Sequence, residues 1–300
     1  LVLQLGELAD VNLDGKLDII GVSKYGEPVV RLGRGDGTFA STFSANPDKG
    51  GPRFMAVGDF NGDKRPDLVF SATKADSLLL WATMADGKLT PLTDLAVDAP
   101  LTGGVFTDAT DDGIPDLIVS RKDRAELGLL AGTGTGGFQT MKLIPAGLTD
   151  GGGVVAADID KDTKLDLVAA DPKAGVATVL RKTGAGTYAL AGLAQLGTGA
   201  VSLTTLDWDR DGRLDIAAVH PSANAVRVLR STGSLRVPGE TVVPIGPQLT
   251  GAATTDWNGD GITDFAFMSS FTSNVYLSLG DGKGGLLGTT SYGTEAMAWS

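Results

Sequence analysis

The chain has 300 residues, of which 42 % are hydrophobic, and a formal net charge of −11 at pH 7. It has no cysteine, which excludes disulfides and thiol chemistry. No apolar run approaches the roughly 20 residues that a membrane helix needs, and the acidic balance argues against a nucleic-acid partner.

Acidic stretches of one pattern recur along the chain, and each leads directly into an apolar run. Their starts are spaced 49, 49, 50, 49 and 49 residues apart. A fixed period of this size predicts a repeat architecture. We call the stretches loops one to six; they read DVNLDGKLD from Asp10, DFNGDKRPD from Asp59, DATDDGIPD from Asp108, DIDKDTKLD from Asp158, DWDRDGRLD from Asp207 and DWNGDGITD from Asp256.

The rest of one period predicts four short strands. Residues 53–97 hold RFMAVG before loop two, DLVFSA after it, then SLLLWATM and LTPLTDLAV, with turn residues between them. This pattern is typical of an antiparallel meander, and no window shows sustained helical periodicity. Glycine-rich turns precede the fourth strand in other periods, as in GRGDGTF at 33–39, GTGTGGF at 132–138, KTGAGTY at 182–188 and GDGKGGL at 280–286.

Four strands in about 49 residues predict the blade of an all-β propeller. A β-helix would need shorter coils, and a series of sandwiches would need longer domains. We therefore expect residues 1–300 to form a single β-propeller domain of six repeats, either six-bladed or part of a seven-bladed ring. The segment EAMAWS at 295–300 resembles a strand that leads into a further loop.

The aspartates of each loop are close enough to repel one another. They lie at offsets 0, 2, 4 and 8 from the first, with Asn or Thr at offset 2 in some copies. We find no Lys or Arg pattern that answers them, since Arg210 and Arg213 of loop five are Gly, Leu or Ile in other copies. Hard oxygen ligands at this spacing favour Ca²⁺. The alternative is a set of solvated acidic turns without a metal ion.

The D-x-[DN]-x-D-G-x-x-D loop with its following strand and its GDGTF turn resembles the FG-GAP/VCBS repeat, which builds the integrin α-subunit propeller and many secreted bacterial propellers. The resemblance covers the whole chain and implies up to six Ca²⁺ sites. The implied ligands are Asp10, Asn12, Asp14 and Asp18; Asp59, Asn61, Asp63 and Asp67; Asp108, Thr110, Asp112 and Asp116; Asp158, Asp160, Asp162 and Asp166; Asp207, Asp209, Asp211 and Asp215; Asp256, Asn258, Asp260 and Asp264.

Some loops depart from the pattern of the family. Lys64 and Thr163 replace the glycine that follows the third ligand, and Thr110 replaces the second ligand unless Asp111 shifts into its place. Affinity rises with the number of carboxylates, which favours loops four and five. Loop five also keeps Gly212 where loop four has Thr163. The loop that starts at Asp207 should therefore bind Ca²⁺ most tightly, and the Thr110 loop most weakly. Six Ca²⁺ ions would bring the formal charge of the chain close to neutral.

Other conspicuous residues have simpler explanations than catalysis or adhesion. His220 is the only histidine and ends an apolar run, a place more typical of packing than of a general base. The RGD tripeptide at 34–36 lies within a recurrent turn. Trp208 and Trp257 share a loop position that is apolar in other copies, which indicates packing between blades more than sugar binding, and Trp81 lies in a strand run.

The sequence therefore predicts a calcium-stabilised extracellular or cell-surface module for adhesion or assembly. Its face or rim loops would recognise a protein or glycan, and no membrane span or nucleic-acid partner is expected. The alternative prediction is a secreted propeller enzyme that acts on polysaccharide; no catalytic residue is assigned to it.

Overall fold

The structure is a computed structural model, and it describes residues 3–36, 38–44, 49–74, 77–231, 240–244, 249–269 and 274–293. Nearly all regular structure in these residues is β; one 3-10 turn, Pro221–Ala223, is the exception. No helix in the described part of the chain is long and apolar enough to cross a membrane. The segment 295–300 lies outside the described residues.

The strands form six small antiparallel sheets in chain order, which are the blades of a β-propeller fold. The first three blades are β1 to β4, β5 to β9 and β10 to β13, and blade two is five-stranded because the short β9 also pairs with β7. Their bounds are β1 Leu3–Ala9, β2 Asp18–Ser23, β3 Pro28–Gly33, β4 Phe39–Ser44, β5 Pro52–Gly58, β6 Asp67–Ala72, β7 Ser77–Thr83, β8 Leu89–Pro91, β9 Leu95–Ala96, β10 Leu101–Thr107, β11 Asp116–Arg121, β12 Glu126–Leu130 and β13 Lys142–Pro145.

The last three blades each have four strands in sequential order. Blade four is β14 to β17, blade five β18 to β21 and blade six β22 to β25. Their bounds are β14 Val154–Ala157, β15 Asp166–Asp171, β16 Val176–Gly184, β17 Thr187–Gln195, β18 Ser202–Leu206, β19 Asp215–His220, β20 Ala225–Leu229, β21 Glu240–Pro244, β22 Leu249–Thr255, β23 Asp264–Ser269, β24 Asn274–Gly280 and β25 Leu286–Gly293.

The second strand of a blade is its most buried part. In β6, β11, β15 and β19 every residue is buried. These strands carry near-continuous apolar runs because neighbours cover both of their faces. The fourth strands, such as β17, are largely exposed, and their exposed and covered residues do not alternate regularly. The sheets thus bury their inner strands and expose their outermost ones.

Contacts divide the chain into two compact units: 1–144 with 184–187, and 145–183 with 188–300. In the first unit, Phe60 of loop two packs beside Phe106 and Phe138 of blade three, with ring centroids 6.1 and 5.6 Å away. In the second, Trp208 of loop five meets Phe265 of blade six edge to face at 5.0 Å. In both units the core therefore lies between consecutive sheets and includes loop residues.

The predicted fold class is confirmed: the chain is an all-β propeller of small antiparallel sheets, with six blades in the described residues. The predicted near-absence of helix is also confirmed. The predicted single domain stays a prediction.

Candidate metal centres

Each loop joins the first strand of its blade to the second at a fixed register. The residue before the first aspartate pairs with the last aspartate, as Ala9 pairs with Asp18 and Leu206 with Asp215. The last aspartate is therefore the first residue of a buried strand, and the rest of the loop projects beyond the sheet.

The first aspartate folds the loop around its own carboxylate. In loop one, Asp10 Oδ1 accepts the backbone N–H of Asp14 at 3.0 Å, and its Oδ2 accepts that of Gly15 at 2.8 Å. Both bonds recur in loops two, three, four and six. The third aspartate accepts one more backbone N–H through Oδ1, as Asp14 does from Lys16 at 3.0 Å.

Two positions in every loop have left-handed backbone conformation. One follows the third ligand, where Gly15 has φ +82°, and it is the position at which Lys64 and Thr163 depart from the pattern. These two residues take φ +69° and +71°, so the loop geometry overrides their preference. The other position precedes the third ligand and holds Asp111 of loop three at φ +59°.

The last aspartate has a structural role that sequence reasoning missed. Asp215 Oδ1 accepts the backbone N–H of Ser231, beyond the third strand, at 2.7 Å, and its Oδ2 accepts that of Trp208 at 3.0 Å. Asp18 makes the same pair of bonds, to Gly33 at 2.7 Å and Val11 at 2.9 Å. A buried carboxylate thus ties the start of the loop to the third strand in each case. The partners lie 15 or 16 residues downstream and are backbone groups, so no side-chain signal in the sequence marks them.

Burial makes three of the last aspartates, Asp67, Asp166 and Asp215, unusually easy to protonate. Desolvation is the largest influence, and it raises the pKa of Asp67 to about 7 and those of Asp166 and Asp215 to about 6. The backbone N–H groups that they accept from lower the pKa values only in part, and the neighbouring loop carboxylates raise them further. A cation beside these groups would favour their charged form.

Loops four and five bring three carboxylates together. In each of them, one oxygen of the first, second and last aspartates lies within 4.8 Å of the other two; the groups are Asp158, Asp160 and Asp166, and Asp207, Asp209 and Asp215. The third aspartates, Asp162 and Asp211, are not members of these clusters.

Loops one and six place an asparagine amide where loops four and five have the second aspartate. Asn12 Nδ2 donates to Asp14 Oδ2 at 3.4 Å, and Asn258 Nδ2 donates to Asp260 Oδ2 at 2.9 Å. In these loops the amide oxygen accepts the backbone N–H of the third aspartate, at 3.1 and 3.0 Å. A neutral donor thus lies against the third carboxylate.

Loop three deviates from this hydrogen-bond plan. The N–H that reaches the last aspartate, Asp116, comes from Thr110 at 2.8 Å and so lies one residue later than in loops one, five and six. The Thr110 hydroxyl is buried and has no hydrogen-bond partner in the described part of the chain. Asp111 is exposed. Thr110 as the second ligand, and the weak Ca²⁺ binding expected of this loop, stay predictions.

The expectation that no Lys or Arg pattern answers the carboxylates is wrong. At the position six residues after the first aspartate, four loops carry a basic residue that pairs with the third aspartate at 3.5 to 3.8 Å; the pairs are Lys16–Asp14, Arg65–Asp63, Lys164–Asp162 and Arg213–Asp211. Isoleucine fills this position in loops three and six, which concealed the pattern. Such solvent-exposed pairs contribute little individually, so they reduce the repulsion without removing it.

The donor set of the loops fits a hard cation. Carboxylate oxygens converge in loops four and five, and Oδ1 of Asp207 is a buried carboxylate oxygen that has no hydrogen-bond partner among the described residues. Ca²⁺ takes roughly 6–8 oxygen ligands, including backbone carbonyls. The 24 ligand positions supply carboxylate, amide and hydroxyl oxygens, and so match that chemistry.

The residues outside the ligand set divide by burial. Trp208 is buried between blades, as predicted, but the packing prediction is wrong for Trp257, whose side chain is 64 % exposed. Trp81 and His220 are buried, and both lie in strands. Asp36 of the RGD tripeptide accepts the N–H and the hydroxyl of Thr38 through Oδ1 at 2.9 and 2.6 Å, which is a turn-forming role.

Comparisons with known proteins agree with this geometry. The sequence profile described as an FG-GAP-like repeat matches residues 10–70, 108–169, 158–218 and 207–267. No curated protein matches the sequence. Among solved structures, an Agrocybe aegerita lectin studied for its recognition of non-reducing terminal N-acetylglucosamine is 16 % identical, with a TM-score of 0.66, over 99 % of this chain and 82 % of the lectin. BBS1N, solved in complex with ARL6DN, is 13 % identical with a TM-score of 0.67 over 97 % of this chain and 82 % of BBS1N.

Proposed function

Because the chain belongs to the FG-GAP-like repeat family, we propose that it is a calcium-stabilised extracellular binding module that recognises a protein or a glycan. The observation that carries the metal part of this proposal is the repetition of one oxygen-rich loop plan around a buried carboxylate. At Asp67 and Asp215, burial also makes that carboxylate hard to ionise. A fold that places such groups together gains stability when a cation neutralises them.

The extracellular setting follows from the proposed metal chemistry. Open loops with three or four carboxylates and solvent-exposed ligands resemble extracellular calcium modules, which work at about 10⁻⁴ to 10⁻³ M Ca²⁺. Such concentrations are found outside cells. The absence of cysteine is compatible with this setting, because metal ions and not disulfides would stabilise the blades.

Trp257 is the residue we propose for ligand contact. Its side chain is exposed beside loop six, whereas the residues in the same place of the other loops are buried. An exposed indole offers a flat apolar face and an N–H donor, which suits a sugar ring or an apolar side chain of a partner protein. The lectin of similar fold makes glycans with terminal N-acetylglucosamine a sensible first probe.

The binding part is tested by screening the protein against a glycan array with and without EDTA, and against the same array after Trp257→Ala. Leu287→Ala is the matched control, since Leu287 is 70 % exposed and also belongs to blade six. Calcium-dependent binding that is lost in Trp257→Ala and kept in the control supports the proposal. Binding that is unaffected by Trp257→Ala removes this residue from the site.

The polysaccharide-active enzyme remains the alternative that the sequence predicted. The only histidine of the chain, His220, is 1 % exposed at the end of β19, a poor position for contact with a substrate. Hydrolysis of a bound oligosaccharide by the purified protein would favour this alternative.

A further inference from the structure

Two of the six loops carry an aspartate at all four ligand positions, and their blades also carry an arginine at one particular position. The second ligand position is Asp160 in blade four and Asp209 in blade five. In each blade, a residue on or just beyond the third strand donates its backbone N–H to the last aspartate. The residue immediately before that donor is Arg181 in blade four and Arg230 in blade five. In the other four blades the second position is Asn or Thr, and the residue equivalent to the arginine is apolar: Leu32, Ala82, Ala131 and Leu279.

Both arginines reach the extra carboxylate of their own loop. Arg181 Nη2 lies 2.8 Å from Asp160 Oδ2 and 3.3 Å from Asp162 Oδ2, so one nitrogen bridges the second and third aspartates. Arg230 Nη1 lies 3.8 Å from Asp209 Oδ2. The arginine side chains are about half exposed, whereas Asp160 and Asp209 are mostly covered.

The contact of Arg181 replaces one that asparagine makes in other loops. Asn12 and Asn258 donate their amide N–H to Oδ2 of the third aspartate. An aspartate at this position has no N–H to give, and in loop four Arg181 donates to Oδ2 of the third aspartate instead. The pair of Asp160 and Arg181 thus supplies an N–H donor to the third aspartate, as an asparagine does in loops one and six. Its net charge is zero, as is that of an asparagine and an apolar residue.

We propose that Arg181 and Arg230 are internal counterions of loops four and five. Each neutralises the fourth carboxylate of its loop and holds the loop in shape without a metal ion. Each also lowers the affinity of that loop for Ca²⁺, because the guanidinium group binds oxygens that face the ion and adds a positive charge beside it. This last part rests on the proposed function and revises the expectation that more carboxylates alone give tighter binding.

Loop four tests the counterion role through stability, with substitutions that this chain itself uses in blades one and six. In EDTA, Arg181→Leu should lower the melting temperature by about 2–4 °C, because Asp160 and Asp162 lose the guanidinium group that bridges them. Adding Asp160→Asn to Arg181→Leu recreates the Asn and Leu pair and should restore it. In saturating Ca²⁺ the loss in the single variant should disappear. An equal loss in both buffers, or no rescue by Asp160→Asn, would mean that Arg181 only packs against the loop and would overturn its role.

Loop five tests the affinity, because Trp208 can sensitise the luminescence of Tb³⁺ bound there. Trp257→Phe removes the competing signal of loop six, and Ca²⁺ is then titrated against Tb³⁺. Arg230→Leu should tighten binding of both ions roughly three- to tenfold. Arg210→Leu is the control: it removes the same charge from the same loop, but its side chain lies beside Gly261 and Gly282. Unchanged or weaker binding in Arg230→Leu, or an equal effect in the control, overturns the affinity part.

The two tests separate this proposal from the proposed function. If Ca²⁺ fails to stabilise the wild type, the proposed function and the affinity part both fall. The cycle of Arg181→Leu and Asp160→Asn in EDTA then still decides whether the arginine is a counterion, since that measurement involves no metal ion.

Discussion

The carboxylate of Asp18 and the backbone N–H of Gly33 join the acidic loop of blade one to its third strand, through a buried hydrogen bond of 2.7 Å. Asp18 accepts a second bond from Val11. Without Ca²⁺, Asp18→Ala should therefore lower the free energy of unfolding by about 3 kcal/mol, because two buried N–H groups lose a charged acceptor. In Ca²⁺ the loss should be larger, because the loop also loses an implied ligand. Asp18→Asn, which keeps one acceptor oxygen, should cost less. Denaturant unfolding checks both, with the exposed Asp86→Ala as a neutral control, and a loss confined to calcium buffer would contradict the structural role.

Thr163 occupies a left-handed position that glycine fills in four of the loops. Thr163→Gly should raise the free energy of unfolding by about 1 kcal/mol, because a β-branched residue is strained at φ +71°. Gly113→Ala is the reverse control: φ is +78° and no atom lies within 4 Å of an added Cβ, so any loss reports backbone strain alone. Equilibrium unfolding in urea measures both, and a loss of stability in Thr163→Gly would show that the strain argument fails.

Calcium binding should release protons near pH 6. Burial raises the pKa of Asp67 to about 7 and that of Asp215 to about 6 in the metal-free protein. The folded state then holds protons that the unfolded chain does not, so the contribution of these groups to stability is largest below about pH 4 and falls as the pH rises toward 7. Ca²⁺ needs the ionised carboxylates, so its affinity should rise over the same range. Calorimetric titration in buffers of different ionisation enthalpy measures the proton release, and none between about pH 5.5 and 7 would refute the coupling.

Truncation of the two loop tryptophans should cost very different amounts of stability. Trp208 is 1 % exposed and packs on Phe265, so Trp208→Ala should cost about 3–5 kcal/mol. Trp257→Ala should cost less than about 1 kcal/mol, since its side chain is mostly in solvent. Thermal and denaturant melts compare the two variants directly. Equal losses would mean that Trp257 is covered in solution.

Features with a short-range signal could be predicted from the sequence. The period of the loops, the apolar second strands and the glycine turns gave the fold class, and the offsets of the aspartates gave the candidate ligands. The tie from Asp215 to Ser231 could not be predicted, because its partner is a backbone group 16 residues away. The pairing of Arg181 with Asp160 was also missed, because the two side chains are distant in the sequence and meet only when the third strand folds back.

The exposure of Trp257 could not be predicted either. Its position in loop six matches that of Trp208 in loop five, and local sequence does not say whether another part of the protein covers it. Burial of that kind is set by tertiary packing and not by the pattern of the repeat.

The calcium requirement is tested most directly by paired thermal melts of the wild type and Asp211→Ala, in Ca²⁺ and in EDTA after the metal content has been measured. Because Ca²⁺ binds the folded loops and not the unfolded chain, it should raise the wild-type melting temperature. Ca²⁺ at about 100 times the dissociation constant contributes about 2.7 kcal/mol per site. Asp211→Ala should reduce that gain. In EDTA it should be nearly neutral, because the relief of repulsion in the loop offsets the loss of the exposed contacts of Asp211 with Arg213. A wild-type melting temperature that is the same in both buffers, or an equal loss in Asp211→Ala in both, would contradict the account of these loops as calcium sites.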